Sequence, residues 1–275
     1  MSTASETPLL GAADPSPVLS FPRTGRSPFV FTVDHAGAFV PQALGGLGID
    51  PEALNDHIGI DIGIFPVVSW LSALLGSPMV AQPISRLVID CNRIPGAATS
   101  IPEVSDKRAI PANTGLSQDC KDRRAREILA PYQAEIARMV AERRAALGHA
   151  PVLMAMHSFT RMMQGGARRA VDIGVIYHAP DGTANPFAEA LIAQLEPSGL
   201  TVCRNEPYIV DMANDYTVPE QSVAAGIPHV EIEICQDLIS DCRGQRRLAE
   251  LFWRSLRAVE PQIATLVPQE PPANV

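Results

Sequence analysis

No two of the five cysteines (Cys91, Cys120, Cys203, Cys235 and Cys242) stand in a C-x-x-C pair, and their number is odd. Both facts argue against a disulfide framework and against a cysteine zinc site, and they fit a reducing compartment. Positive charge is also in short supply. A formal net charge of -8 gives no footprint for a phosphate backbone or an anionic lipid surface, so neither nucleic acid nor membrane is expected as a partner. There is no G-x-S-x-G, no P-loop and no G-x-G-x-x-G. Ser158 follows His157 directly, so on a strand the two would point apart and a Ser–His couple is not supported. Long apolar runs are missing as well. The best span candidate, Ile58–Leu75, is broken by Asp61 and Pro66 and reads as a core helix. The first residues show neither the basic nor the apolar block of a signal peptide, and the expected location is the cytoplasm.

What is present is a chain of 275 residues, 46% hydrophobic and 19% charged, enough to bury a large core. Residues 1–27 are rich in Ser, Thr, Pro, Gly and Ala without periodicity and are expected to be a loose, flexible N-terminal arm. Residues 28–266 are expected to form one folded domain, and 267–275 a disordered tail. Strands are expected at Pro28–Val33, in "PMVAQP" and "RLVID", at Pro151–Met156 and Asp172–Tyr177, in "TVCRN", and at Pro228–Ile234. Helices are expected over Pro51–Gly76, bent at Pro66, over Ser117–Gly148, over Asn185–Glu196 and from Gly244 to Leu266. The stretch from Ile94 to Gln118 reads as a long loop, a candidate lid. Alternating strands and helices, with strands apolar on both faces and no internal repeat, predict a single three-layer α/β/α domain. Its sheet should be mixed and mostly parallel.

The chemistry collects where strands end. Asp34-His35 follows the first strand, Asn92-Arg93 follows "RLVID", His157-Ser158 follows "PVLMAM", and Glu231 and Glu233 lie in "HVEIEI". In an open α/β sheet, ligands bind outside the carboxyl ends of strands, so these residues are candidates for one shared site. A lone strand-end histidine is more often a hydrogen-bonded core residue. Two of them beside a carboxylate would make the open three-ligand site of a metal hydrolase. Asp61 interrupts an apolar segment between Ile60 and Ile62 and therefore needs an arginine or a metal. It ranks above His57, four residues before it. Alternation places Glu231, Glu233 and Cys235 on one strand face, opposite Val230, Ile232 and Ile234. A glutamate beside a zinc-activated water is the usual general base of such hydrolysis, although a salt bridge to one of the twenty arginines is a serious rival for Glu231. Asn92 with Arg93 can clamp a carboxylate. Arg168 and Arg169 sit on a Gly-rich loop, and Asn205, Glu206 and Tyr208 in "RNEPY" are polar enough to line a pocket.

The ordered set "VDHAGAFVP", "DHIGIDIGI", "RLVIDCNR", "MHSFTR", "RRAVDIGVIY", "NEPY" and "PHVEIEICQDL" resembles the N-formylglutamate amidohydrolase family over about residues 28–240. That family is similar in fold to zinc carboxypeptidases and to the aspartoacylase group. The resemblance implies one zinc ion and cleavage of an N-acyl bond on a small acidic amino acid. It places His35 and His157 as metal ligands, Glu233 as general base, Asn92 and Arg93 on the substrate α-carboxylate, and Arg169 near its side chain, with Tyr208 in the pocket. One departure stands out: the related carboxypeptidase pattern is H-x-x-E, but the residue three after His35 is Ala38. The carboxylate ligand must come from elsewhere, with Asp61 first and Asp34 and His57 behind it. The rival readings are a metal-dependent deacylase of another N-acyl amino acid and a metal-free carboxylate-binding relative. The oligomeric state is left open.

Overall fold

The structure, a computed structural model, describes residues 8–179 and 182–266. The expected tail at 267–275 and the first seven residues of the expected arm lie outside that range. In chain order the strands are β1 (Leu19–Phe21), β2 (Phe29–Val33), β3 (Met79–Ala81), β4 (Val104–Ser105), β5 (Arg108–Ala109), β6 (Val152–Phe159), β7 (Ile173–Ile176), β8 (Val202–Arg204) and β9 (His229–Cys235). The helices are α1 (Pro51–Leu54), α2 (Ile64–Leu75), α3 (Gln118–Arg124), α4 (Ala130–Leu147), α5 (Pro186–Leu195), α6 (Cys242–Val259) and α7 (Ile263–Leu266). Seven strands form one sheet in the order β1-β3-β2-β6-β9-β7-β8. Strands β3, β2, β6 and β9 run parallel, β1 is antiparallel to β3, and β7 is antiparallel to β9. This is the mixed, mostly parallel α/β sheet that the alternation of elements predicts.

Side-chain parity divides the two faces. Phe31, Met154 and Ile232 point to one side, where α2, α5 and α6 cover them in a single apolar cluster. Val30, Val80 and Leu153 point to the other side and pack with Ile136, Met139 and Val140 of α4. The strand residues on the α4 side then turn polar toward their carboxyl ends: His157 on β6, Glu231 and Glu233 on β9. Because α4 covers only the β3–β2–β6 half, a trough is left above β6 and β9. The site occupies it.

Three expectations need correction, and the long helix before β6 is present with one local change. "RLVID" is not a strand. Leu87, Val88 and Ile89 are fully buried, but the Leu87 carbonyl accepts from Asn113 Nδ2 and the Val88 carbonyl from Arg124, each at 2.8 Å. Its backbone groups are satisfied by side chains and turns instead of a ladder, and a short apolar run looks the same in either case. Pro51–Gly76 is not one helix either. α1 stops at Leu54, and α2 starts after Gly63, whose φ of 78° suits glycine and whose added Cβ would lie 2.0 Å from the Ile239 carbonyl oxygen. Pro66 therefore sits in the first turn of α2, where its missing N–H costs nothing. The helix expected over Ser117–Gly148 runs through one π turn at Ala125–Leu129, just ahead of Pro131. Such widening relieves the clash of the proline ring with the carbonyl four residues back. Finally, the arm is held along part of its length: Leu9 is buried and Leu19–Phe21 pairs with β3.

The segment expected as a loop carries the β4–β5 hairpin, tied down by His57 Nε2 to Asp106 at 2.9 Å and Arg108 to Asp56 at 2.7 Å. Glycine is required at Gly174 of β7, opposite Glu233. A Cβ there would lie 2.1 Å from the Glu206 carbonyl oxygen and 3.3 Å from the Glu233 Cβ. Gly174→Ala is expected to destabilise the protein by about 1–3 kcal/mol, an overpacking cost that a thermal melt would register as a lower Tm.

Candidate metal centre

Three elements deliver the centre. Chain reversal after β2 presents Asp34 and His35. The turn before α2 presents Asp61, whose backbone N–H donates to the His35 carbonyl at 3.1 Å and so fixes the two segments together. The polar face of β6 presents His157. All three side chains are buried, and one ligand atom from each lies within 4.8 Å of the others. Both imidazoles aim Nδ1 at the same oxygen: Asp61 Oδ2 is 3.2 Å from His35 and 2.9 Å from His157. The Ser158 N–H donates to that oxygen at 3.2 Å.

Each imidazole is backed by a second carboxylate. His35 Nε2 meets Asp90 Oδ1 at 2.8 Å. His157 Nε2 faces Asp34 Oδ2 at 3.3 Å, an ion-pair contact outside hydrogen-bonding angles. Asp34 is itself fixed by the hydroxyls of Tyr132 at 2.6 Å and Thr217 at 3.1 Å. Arg86 spans the other side, reaching Asp61 at 3.2 Å and Asp90 at 2.6 Å. Sequence reading missed Arg86 and Asp90 as parts of this network. Asp90 does hold the Asn92 N–H at 2.9 Å, as an orienting partner would, but its main contacts are His35 and Arg86. Asp34 is a partner of His157 and was ranked only as an alternative ligand. The signal for the two aspartates was their place at the ends of apolar stretches, where a buried carboxylate requires a counter-charge without identifying it.

Burial alone would favour neutral His157, yet Asp34, Asp61 and Glu231 outweigh it and raise its pKa well above the usual value. His35 is raised in the same sense: burial and Arg86 oppose its charge, and Asp90 and Asp61 prevail. For Asp61, burial is overcome by His35 and His157, which hold its carboxyl far below the ordinary range. Glu233 and Glu231 go the other way. Burial raises the Glu233 carboxyl well above its ordinary value, reinforced by Asp61 and Glu231. Burial pushes Glu231 up to about 7. Neither Glu231 Oε2 nor Glu233 Oε2 has a hydrogen-bond partner among the described residues.

The other expected residues fall into distinct places. Asn92, Arg93 and Tyr208 line a cleft of about 460 Å³ together with the centre, Glu231 and Glu233. Asn92 Oδ1 accepts from the Thr217 N–H at 3.0 Å, and Arg93 pairs with Asp215 at 2.6 Å. Arg169 stands behind this wall. Its guanidinium donates to the Tyr208 hydroxyl at 3.0 Å and stacks on that ring with 5.0 Å to the centroid, so it supports Tyr208. His57 is occupied by Asp56 and Asp106 and takes no part.

Two imidazole nitrogens and one carboxylate oxygen, all buried and each imidazole seated on a further carboxylate, fit a divalent first-row ion. The group could hold a metal through His35, Asp61 and His157. His57, paired with Asp56 and Asp106, is not part of that group.

The profile of the family described as N-formylglutamate amidohydrolase matches residues 27–240. Among solved structures, the gene product Atu2144 from Agrobacterium tumefaciens is 30% identical with a TM-score of 0.83, covering 92% of this chain and 99% of that one. The structure titled N-formylglutamate amidohydrolase from Ralstonia eutropha JMP134 is 21% identical with a TM-score of 0.70, covering 90% and 99%, a likeness of fold. No curated protein matches the chain. With strand-end histidines, a buried carboxylate between them and a family profile spanning most of its length, the chain belongs to the N-formylglutamate amidohydrolase family.

Proposed function

We propose that this amidohydrolase cleaves the formamide bond of N-formyl-L-glutamate, giving formate and glutamate, with zinc held by His35, Asp61 and His157. The observation that carries this reading is the convergence of both imidazole Nδ1 atoms on one Asp61 oxygen, beside a buried glutamate with an unpartnered oxygen. When bound, such an ion polarises the formyl carbonyl and makes water acidic enough to attack near neutral pH.

This chain's own residues do the remaining work. Glu233 takes the proton of the attacking water and returns it to the leaving amine nitrogen. The C–N bond breaks and the water oxygen stays on the formyl carbon. Burial raises this carboxyl, which favours its holding the proton between the two transfers. Asp34 and Asp90 hold the two imidazoles with Nδ1 facing inward. Arg93, with Asn92 beside it, receives the substrate α-carboxylate, and Tyr208, braced by Arg169, closes the cleft above it.

The test is formate release from N-formyl-L-glutamate with and without added zinc, run against the N-acetyl and N-succinyl analogues. A preference for an analogue would move the assignment to another N-acyl amino acid. Arg93→Ala is expected to raise KM by about 10–100-fold, the cost of a charge-assisted contact, with a smaller change in kcat. An unmoved KM would transfer the clamp to Arg86.

A further inference from the structure

The cleft over the metal centre opens into a second chamber of about 710 Å³, larger than the cleft itself at about 460 Å³. Arg86, Arg93, Ser158, Tyr208 and Asn214 belong to both walls. From this neck the chamber runs beneath residues 96–106 and reaches Lys121 on α3. A cleft of that size already has room for a single N-formyl amino acid, given that pockets of about 300–1,000 Å³ enclose much larger ligands. The chamber is additional space.

Charge is distributed unevenly between the two. In the cleft both guanidiniums are engaged, Arg93 by Asp215 and Arg86 by Asp61 and Asp90. On the chamber wall Asp106 is held by His57 at 2.9 Å and by the Gln164 N–H at 3.0 Å. Glu103 is exposed, its Oε1 accepting from the Gly115 N–H at 3.4 Å. Lys121 is half-buried on this wall and makes no ion pair among the described residues. It is the cation of the connected space that still lacks an anion.

The geometry points to a subsite for the far end of a longer substrate, in which the chamber takes a carboxylate-terminated extension of the N-acyl amino acid and Lys121 receives that carboxylate. The chemical class is an N-formyl acidic dipeptide, a further amino acid joined through the glutamate side-chain carboxyl, which leaves the α-carboxylate to Arg93. This rests on the amidohydrolase reading of the cleft and extends its substrate from one residue to two.

The experiment measures formate release from N-formyl-L-glutamate and from its α-linked and γ-linked glycine extensions, each also prepared as the glycinamide. Zinc-loaded wild-type, Lys121→Ala and Lys121→Arg enzymes are compared. The γ-linked glycine extension is expected to show a KM about fivefold below that of the parent, as a partly exposed ion pair allows. That advantage should vanish in its glycinamide and in Lys121→Ala and return in Lys121→Arg, with the parent unchanged throughout. The inference is overturned if the γ-linked extension has no lower KM than the parent, or if Lys121→Ala keeps the advantage. Should N-formyl-L-glutamate itself not be hydrolysed, the cleft reading fails separately. Calorimetric titration of the same compounds then decides the chamber: binding that needs both the glycine carboxylate and Lys121 supports it, and equal binding of carboxylate and amide overturns it.

Discussion

Glu233→Gln is expected to lower kcat for formate release by about 10²–10⁴-fold, the usual worth of a positioned general acid–base. KM should change little, since the amide keeps the shape of the carboxyl but cannot carry a proton. Metal content should also be unchanged, because Glu233 stands outside the His35, Asp61 and His157 group. Glu231→Gln is the informative companion. It lies two residues along the same strand face, equally buried and also with an unpartnered Oε2. If Glu231→Gln produced the larger loss, the proton carrier would be Glu231. If both variants turned over normally with zinc bound, proton transfer by this strand would have to be abandoned.

Asp61→Asn is expected to cost the protein its metal. Loss of an outer partner typically weakens metal affinity 10–100-fold, so removal of the charge both imidazoles face should exceed about 100-fold and take activity to background. Elemental analysis after desalting measures the first effect and formate release the second. The same change leaves His35, His157 and Arg86 without the carboxylate they share. Each keeps a second carboxylate, Asp90 for His35 and Arg86 and Asp34 for His157, so the stability loss should be about 1–3 kcal/mol, which a denaturant titration would show. Asp90→Asn, which touches His35 from behind, should give the milder loss of an outer partner. Full zinc retention in Asp61→Asn would move the metal to another set of residues.

The fold was legible wherever a strand is buried on both faces. Phe29–Val33, Val152–Phe159 and His229–Cys235 are buried, mainly apolar runs, and even the side to which Glu231 and Glu233 point follows from alternation. "RLVIDCNR" was misread because apolar content reports burial and not what the backbone bonds to. The bonds come from Asn113 and Arg124, in parts of the sequence with no local connection to it. His35, His157 and Glu233 could be found at strand ends. The pairing of His35 with Asp90, or of Asp34 with Tyr132 98 residues away, is a matter of three-dimensional approach that spacing does not encode. Arg169 illustrates the remaining gap: its loop touches the chamber at Met163 and not the cleft, and its guanidinium is taken by Tyr208.

The grip of Arg124 and Asn113 on residues 87 and 88 also bears on how a substrate gets in. Helix α3 carries Lys121 on the chamber wall and, one turn later, Arg124, which also donates to Asn113 Oδ1 at 2.8 Å. The segment between residues 94 and 118 is thus bolted to the turn that presents Arg86 and Asp90, and Asp90 in turn supports His35. Swinging that wall outward would drag the floor of the centre with it. The opposite rim is tied at its far end, where Asp215 pairs with Arg93, but Tyr208, Ile209 and Met212 stand exposed on it, 40%, 66% and 42% respectively, and that stretch is the better place for the doorway.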